Sequence, residues 1–228
     1  MKKAKKGSGR GWKALIIIGI LVISAGIGLV LYNIWDGKRA ERASNLIAEQ
    51  LETEIDKNAA GETPDNTDSD QEMPTIEIDG KKYIGILEVP VYNLRLPVMA
   101  DWSYASLKIS PCRYSGSYYT NDLVICGHNY ARHFSPLKNI GIGEKIRFTS
   151  VEGKVYTYIV GNRETLRPTE VSKMVENKSN SETQNEDWDL TLFTCNTGGR
   201  TRCAVRCVLQ DDSQTNENAP SDLSSLAG

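Results

Sequence analysis

The sequence predicts a mostly β domain, a barrel or sandwich with a few short helices, behind one N-terminal membrane-spanning helix. A long uncharged stretch lies near the N-terminus, and short strand-like segments separated by turn residues fill the region from 75 to 210. These segments do not alternate with helix-length patterns, which argues against a parallel α/β sheet. The region is long enough to form a single hydrophobic core.

Residues 14–35 carry no charge and are long enough to cross the hydrocarbon core of a bilayer as a helix. Tyr32 and Trp35, at the end of this stretch, suit the membrane interface. Residues 1–13 contain six basic residues and no acidic one, so we expect them in the cytoplasm and the chain after the anchor outside the cell. A cleaved signal peptide is the alternative, but no cleavage site of small residues follows the stretch.

The remaining regions outside the domain are polar. Residues 36–74 divide into a segment of helix-forming composition, which predicts a helical stalk to about residue 57, and an acidic segment, which predicts a flexible linker. Residues 211–228 predict a disordered polar tail. The formal net charge of −2 gives no reason to expect nucleic-acid binding, because membrane topology explains the basic N-terminus.

The domain at 75–210 begins with a predicted hairpin, because apolar and polar residues alternate on both sides of Asp79-Gly80. The further predicted strands are 91–98, 123–126, 145–149, 155–160, 190–194 and 202–209, and short helices are predicted at 102–107 and 133–139.

One of these strands ends in a cysteine. Thr191 to Cys195 is a strand-forming run, Asn196 to Gly199 must turn, and the segment that starts at Arg202 can return as a neighbouring strand. Cys195 and Arg202 are therefore placed as a nucleophile and an anion stabiliser would be.

A second apolar strand ends at Gly127-His128. Attack of a thiol on an amide needs a thiolate, a proton donor for the leaving amine and stabilisation of the oxyanion. His128 can supply the proton, and Arg202 can supply the permanent cation. His133 is the second candidate for the base, and Arg206 is the second candidate for the arginine. The alternative interpretation gives these residues no catalytic role. Cys195 is then a small buried residue, His128 a loop residue, and Arg202 the partner of a carboxylate.

The chain has five cysteines, an odd number, so at least one thiol is unpaired in the monomer. A zinc site is the rival of the catalytic interpretation, and its candidate ligands are Cys126, His128, Cys195, Cys203 and Cys207. Their spacing does not match the usual zinc-binding motifs, so the catalytic interpretation is favoured.

The run TLFTC at 191–195 resembles the TLxTC signature of sortases, the cysteine transpeptidases of Gram-positive cell surfaces. His128 and Arg202 match the other two members of the family's Cys-His-Arg set in the same chain order, and the resemblance covers residues 75–210. It implies the eight-stranded sortase β-barrel, with Cys195, His128 and Arg202 as catalytic residues and Thr194 in the substrate groove. It does not indicate a subclass.

The resemblance also implies the reaction, a membrane-anchored transpeptidation without cofactor or metal. Cys195 would cleave an LPxTG-like sorting signal through a thioacyl enzyme, and an amine would resolve this intermediate. The implied partners are surface proteins with a C-terminal sorting signal, and a peptidoglycan precursor or a pilin lysine as acceptor. Two alternatives stay open: a catalytically inactive surface binding module on the same barrel, and a zinc-dependent hydrolase.

Overall fold

The computed structural model describes residues 9–59, 72–176 and 188–210, which form one long helix and a β-barrel. The predicted tail at 211–228 and most of the predicted linker lie outside the described residues. In chain order the elements are α1 (Gly9–Ala59), β1 (Ile76–Ile78), β2 (Lys81–Val89), β3 (Leu94–Met99), α2 (Tyr104–Leu107), β4 (Cys112–Ser115), β5 (Leu123–Gly127), β6 (Lys145–Ser150), β7 (Val155–Leu166), α3 (Val171–Val175), β8 (Leu190–Cys195) and β9 (Arg202–Leu209).

Eight strands close into a barrel in the order β2-β3-β4-β5-β8-β9-β7-β6, because β2 pairs with β6 as well as with β3. The short strand β1 adds to the start of β2 outside this ring. Most neighbours are antiparallel, but β5 and β8 run parallel, as do β3 and β4. The predicted mostly β fold is therefore confirmed as an eight-stranded barrel.

Most predicted strands are present, with changes at their ends. The hairpin between β1 and β2 turns at Asp79 and Gly80, which have φ angles of 51° and 71°. The strand predicted at 91–98 begins only at Leu94, because Pro90–Tyr92 forms a 3-10 turn. β7 extends to Leu166, beyond its predicted end, and β4 was not predicted as a strand.

Residues alternate between the two faces of the barrel wall. In β5, Leu123 and Ile125 belong to the core inside the barrel, whereas Val124 belongs to a second apolar cluster on its outer face. Leu51 and Ile55 of α1 belong to this outer cluster. The barrel therefore has a core on each side of its wall, and α1 covers part of the outer one.

α1 combines two different surfaces in one continuous helix. Its first half is apolar and exposed, and it is long and apolar enough to cross a membrane. In its second half the buried residues recur every three or four positions, as in any helix with one face against a core. They are Ala40, Ser44, Ile47, Ala48, Leu51 and Ile55. The segment predicted as a stalk therefore lies against the barrel and does not stand apart from it.

Candidate active site

Strand topology brings the predicted site residues to one edge of the barrel. β5 and β8 are parallel neighbours, with Gly127 opposite Thr194, so both strands end at the same edge. β9 is antiparallel to β8 and begins at that edge, with Arg202 opposite Cys195. His128 follows β5 directly, so the thiol, the imidazole and the guanidinium lie at the ends of three strands that are neighbours in the barrel.

Two clefts meet at Cys195, which is half-buried and lines both of them. The first, here called the aromatic cleft, has a volume of about 180 Å³ and includes Trp102, Tyr104, Tyr114, Phe193 and Arg202 in its lining. The second, here called the helix cleft, has a volume of about 780 Å³ and includes Asn33, Gly37, Glu41, His128, Tyr130 and Gly198. The helix cleft separates α1 from the loop after β5 and the turn after β8.

His128 is half-buried and held in a stack. The ring of Tyr130 lies 4.5 Å from the imidazole between centroids, with an angle of 23° between the planes. Burial lowers the pKa of His128 below its usual value, whereas the negative charge of Asp36 on α1 acts in the opposite direction. The stack restricts the orientation of the imidazole in the helix cleft.

The two candidate arginines have different environments. Arg202 lies in the aromatic cleft with Cys195, and its Nη1 donates to the carbonyl oxygens of Gly199 at 3.0 Å and Thr201 at 3.2 Å. Arg206 is only 3% exposed, and its guanidinium bonds to the side chains of Glu164 and Thr191. Arg202 is therefore the arginine that the structure brings to the thiol.

A family model of the sortase domain matches residues 87–210, more than half of the chain. The chain belongs to the sortase family. Sortase C1 from Streptococcus suis is 23% identical, with a TM-score of 0.45 over 57% of this chain and 73% of that one. Sortase A from Corynebacterium diphtheriae is 17% identical, with a TM-score of 0.49 over 82% and 96%. Sortase C from Clostridium perfringens, solved with the C-terminal cell wall sorting motif, is 18% identical, with a TM-score of 0.47 over 76% and 95%. No curated protein matches the chain.

In this sortase, Thr194 connects the two strands that carry Cys195 and His128. Its Oγ1 donates a hydrogen bond of 2.8 Å to the carbonyl oxygen of Gly127. The residue is buried and contributes to the wall of the aromatic cleft. Its hydroxyl therefore fixes β8 against β5, one residue before each of the two candidate residues.

His133, the second candidate for the base, lies away from the thiol. His133 is fully buried, at 0% exposure, and lines neither of the two clefts. Burial lowers its pKa to about 4. Within residues 9–59, 72–176 and 188–210, no three His, Cys, Asp or Glu side chains are grouped so that they could hold a metal ion. The zinc-dependent alternative therefore lacks a ligand set in this part of the chain.

Sequence reasoning missed the groups that surround His128 and Cys195. Tyr130 is only two residues after His128, yet nothing in the local pattern indicates that it stacks on the imidazole. Asp36 is the first charge after the predicted anchor, and the hydroxyl of Tyr130 donates to it across 94 positions in the sequence. Trp102 and Tyr114 pack against each other in the aromatic cleft although they belong to separate segments.

Proposed function

We propose that this sortase is a membrane-anchored cysteine transpeptidase that cleaves an LPxTG-like sorting signal and transfers the acyl group to an amine. The observation that carries the proposal is the convergence of Cys195, His128 and Arg202 at one edge of the barrel. A thiol, a titratable imidazole and a permanent cation are the three groups that acyl transfer through a thioester requires.

In the first half of the reaction, the Cys195 thiolate attacks the carbonyl carbon of the threonine in the sorting signal. Arg202 stabilises the negative charge that develops on the carbonyl oxygen. The intermediate collapses, the Thr–Gly bond breaks, and His128 gives a proton to the departing amine of the glycine. The product is a thioester between Cys195 and the threonine.

In the second half, an amine attacks the thioester carbonyl, and the Cys195 sulfur leaves as a thiolate. His128, deprotonated in the first half, accepts the proton that the attacking amine loses, so the resting state is restored. The aromatic cleft, which contains Arg202, suits the acyl donor. The helix cleft, which contains His128, suits the entering and leaving amines. The acceptor is an amine of a peptidoglycan precursor or a pilin lysine.

We propose that α1 crosses the cell membrane with residues 1–13 in the cytoplasm and the barrel outside. The exposed apolar half of the helix supports a membrane location, because soluble monomers rarely expose so large an apolar surface. The basic residues before the span favour this orientation. The helix cleft includes Asn33, Gly37 and Glu41, at the end of the proposed span and just after it, so it opens next to the membrane surface, where a membrane-attached sorting signal would present its scissile bond.

The test is to incubate the purified protein with LPxTG-type and NPxTx-type peptides and an amine acceptor, and to follow the products by mass spectrometry. We expect a thioacyl adduct on Cys195, a cleaved peptide and an amine-linked product. Cys195→Ala should form no adduct, and His128→Ala and Arg202→Ala should lose most of the activity while staying folded. The absence of an acyl enzyme with every peptide would leave the non-catalytic binding module as the better account.

A further inference from the structure

The helix cleft has an unusual wall, because part of it comes from the helix that enters the membrane. Asn33, Ile34 and Gly37 of α1 line the same cleft as His128 and Cys195. Two polar contacts attach this turn of the helix to the loop after β5. The hydroxyl of Tyr130 donates to Asp36 at 2.6 Å, and Nε of Arg132 donates to Glu41 at 3.0 Å.

The contact between Tyr130 and Asp36 connects α1 to His128, the candidate proton donor. Asp36 accepts the hydrogen bond from Tyr130, and the ring of Tyr130 lies flat on the ring of His128. Tyr130 also contacts His133, which is fully buried, with 5.5 Å between the ring centroids and an angle of 62° between the planes. Tyr130 is therefore held between a carboxylate on α1 and two imidazoles.

We propose that Asp36 and Tyr130 are positioning residues of the active site, through which the first turn of α1 beyond the membrane orients His128 beside Cys195. This inference rests on the proposed function and deepens it, since it makes the membrane-proximal helix a part of the catalytic apparatus. A barrel cut away from α1 would keep the three proposed catalytic residues and Tyr130, but it would lose Asp36, which bonds to Tyr130.

The charge of Asp36 is consistent with a positioning role beside His128. Asp36 is a negative charge near the imidazole, and it favours the protonated form that must donate a proton to the leaving amine. The hydrogen bond from Tyr130 lowers the pKa of Asp36, so the carboxylate stays charged at neutral pH. The titratable and charged groups around His128 come from four parts of the molecule. They are Asp36, Lys38, Arg39 and Glu41 on α1, Tyr130, Arg132 and His133 on its own loop, Cys195 at the end of β8, and Lys108 after α2.

The experiment uses the full chain in detergent micelles and the variants Asp36→Asn, Tyr130→Phe and the double variant. The chain has only two histidines, so an NMR titration of histidine-labelled protein resolves His128, and a His133→Phe sample assigns the signals. We expect Asp36→Asn to lower the pKa of His128, because the charge that favours the imidazolium is removed. The matched control is Asp56→Asn, an exposed carboxylate farther along the same helix, which should leave the pKa unchanged.

Peptide transfer by the same variants is the second readout. Asp36→Asn weakens the hydrogen bond by removing the charge of its acceptor, and Tyr130→Phe removes the bond. Each should lower kcat roughly tenfold, with little change in KM. The double variant should lose less than the two single losses combined, because both substitutions act on one shared hydrogen bond.

The two proposals fail in different ways. An unchanged pKa of His128 in Asp36→Asn, additive losses in the double variant, or faster transfer by either single variant would overturn the positioning role. If the unmodified protein processes no peptide at all, the proposed transpeptidation fails. The NMR titration then still decides whether Asp36 acts on His128.

Discussion

Cys195 differs from the four other cysteines in its degree of burial. Cys195 is half-buried at the junction of two clefts, whereas Cys112, Cys126, Cys203 and Cys207 are buried and unpaired. Burial raises the pKa of Cys112 and Cys126 to about 12, and it also raises the pKa values of Cys203 and Cys207. A thiol that stays protonated and inaccessible is a poor nucleophile, so Cys195 is the one of the five free thiols that we expect to react.

We therefore expect iodoacetamide to modify Cys195 much faster than any other cysteine in the folded protein. The sites are located by peptide mapping with mass spectrometry after short exposure at pH 7.5. In denaturant all five thiols should react at similar rates. Fast labelling of Cys126, which lines the aromatic cleft, would contradict the assignment.

His133 should make the stability of the protein depend on pH. Burial lowers its pKa from 6.5 to about 4, so the unfolded chain takes up the proton at a higher pH than the folded chain. The contribution of neutral His133 to the free energy of unfolding is fully present above pH 6.5, and it is lost as the pH falls toward 4. It amounts to about 3 kcal/mol, from 1.36 kcal/mol for each pKa unit.

The measurement compares thermal unfolding of the parent protein and His133→Phe at pH 7 and pH 4.5. The variant should lose less stability on acidification, because phenylalanine fills a similar volume and cannot be protonated. An equal loss in both proteins would show that other groups cause the acid sensitivity.

At the scale of elements, Arg206 attaches α3 to the barrel. Its guanidinium bonds to the Glu164 carboxylate and to Thr191 Oγ1, both at 2.9 Å, and it also donates to backbone carbonyls of residues 173, 174 and 176 at the end of α3. Met174 of α3 lines the aromatic cleft. A buried arginine with this many acceptors therefore fixes one wall of that cleft.

Arg206→Lys should destabilise the fold by about 1–3 kcal/mol, because an ammonium group cannot reproduce the planar fork of donors. Arg147→Lys is the matched control, since Arg147 is half-exposed in its ion pair with Glu88 and should change stability by less than about 1 kcal/mol. Urea unfolding of the three proteins measures the difference. Equal effects of the two substitutions would refute the attachment role of Arg206.

Gly127 ends β5 and directly precedes His128, so the backbone at this position affects the candidate active site. A Cβ at this position would lie 2.5 Å from the ring of Phe134, and the amide of Phe134 donates to the carbonyl oxygen of His128. The loop that carries His128 therefore folds back across a position where any Cβ would force the ring of Phe134 to move.

Gly127→Ala should lower stability by about 1–3 kcal/mol and also lower acyl transfer, because Phe134 must move together with the His128 loop. Gly141→Ala is the control, since its added Cβ would meet Glu144 at an ordinary distance of 3.5 Å. Circular dichroism melts and the peptide assay test both effects. Wild-type activity in Gly127→Ala would contradict this account.

For the whole molecule, α1 joins the barrel to the segment that we propose crosses the membrane. Its second half packs on the outer core of the barrel, and an ion pair between Glu52 and Arg95 of β3 adds to this contact. The packing gives the barrel a defined orientation relative to the helix. A flexible stalk would not do this.

Leu51 on the packed face is 0% exposed, and Leu46 on the free face of the same helix is 63% exposed. We expect Leu51→Ala to destabilise the protein by about 2–5 kcal/mol, and Leu46→Ala to have almost no effect. Thermal unfolding and limited proteolysis of α1 provide the measurement. If Leu51→Ala also has no effect, the helix does not belong to the folded domain.

The sequence by itself determined the features that short stretches encode. Charge distribution predicted the apolar helix, alternation and turn residues predicted most strands, and the TLFTC run indicated the family and named Cys195, His128 and Arg202 as candidates. Only the tertiary structure showed that Arg202 shares a cleft with Cys195 while Arg206 is buried in a separate network, that residues 112–115 form β4, and that Tyr130 bonds to Asp36. Those features depend on strand order, pairing register and contacts between residues up to 94 positions apart, and local patterns of polarity carry no information about such distances.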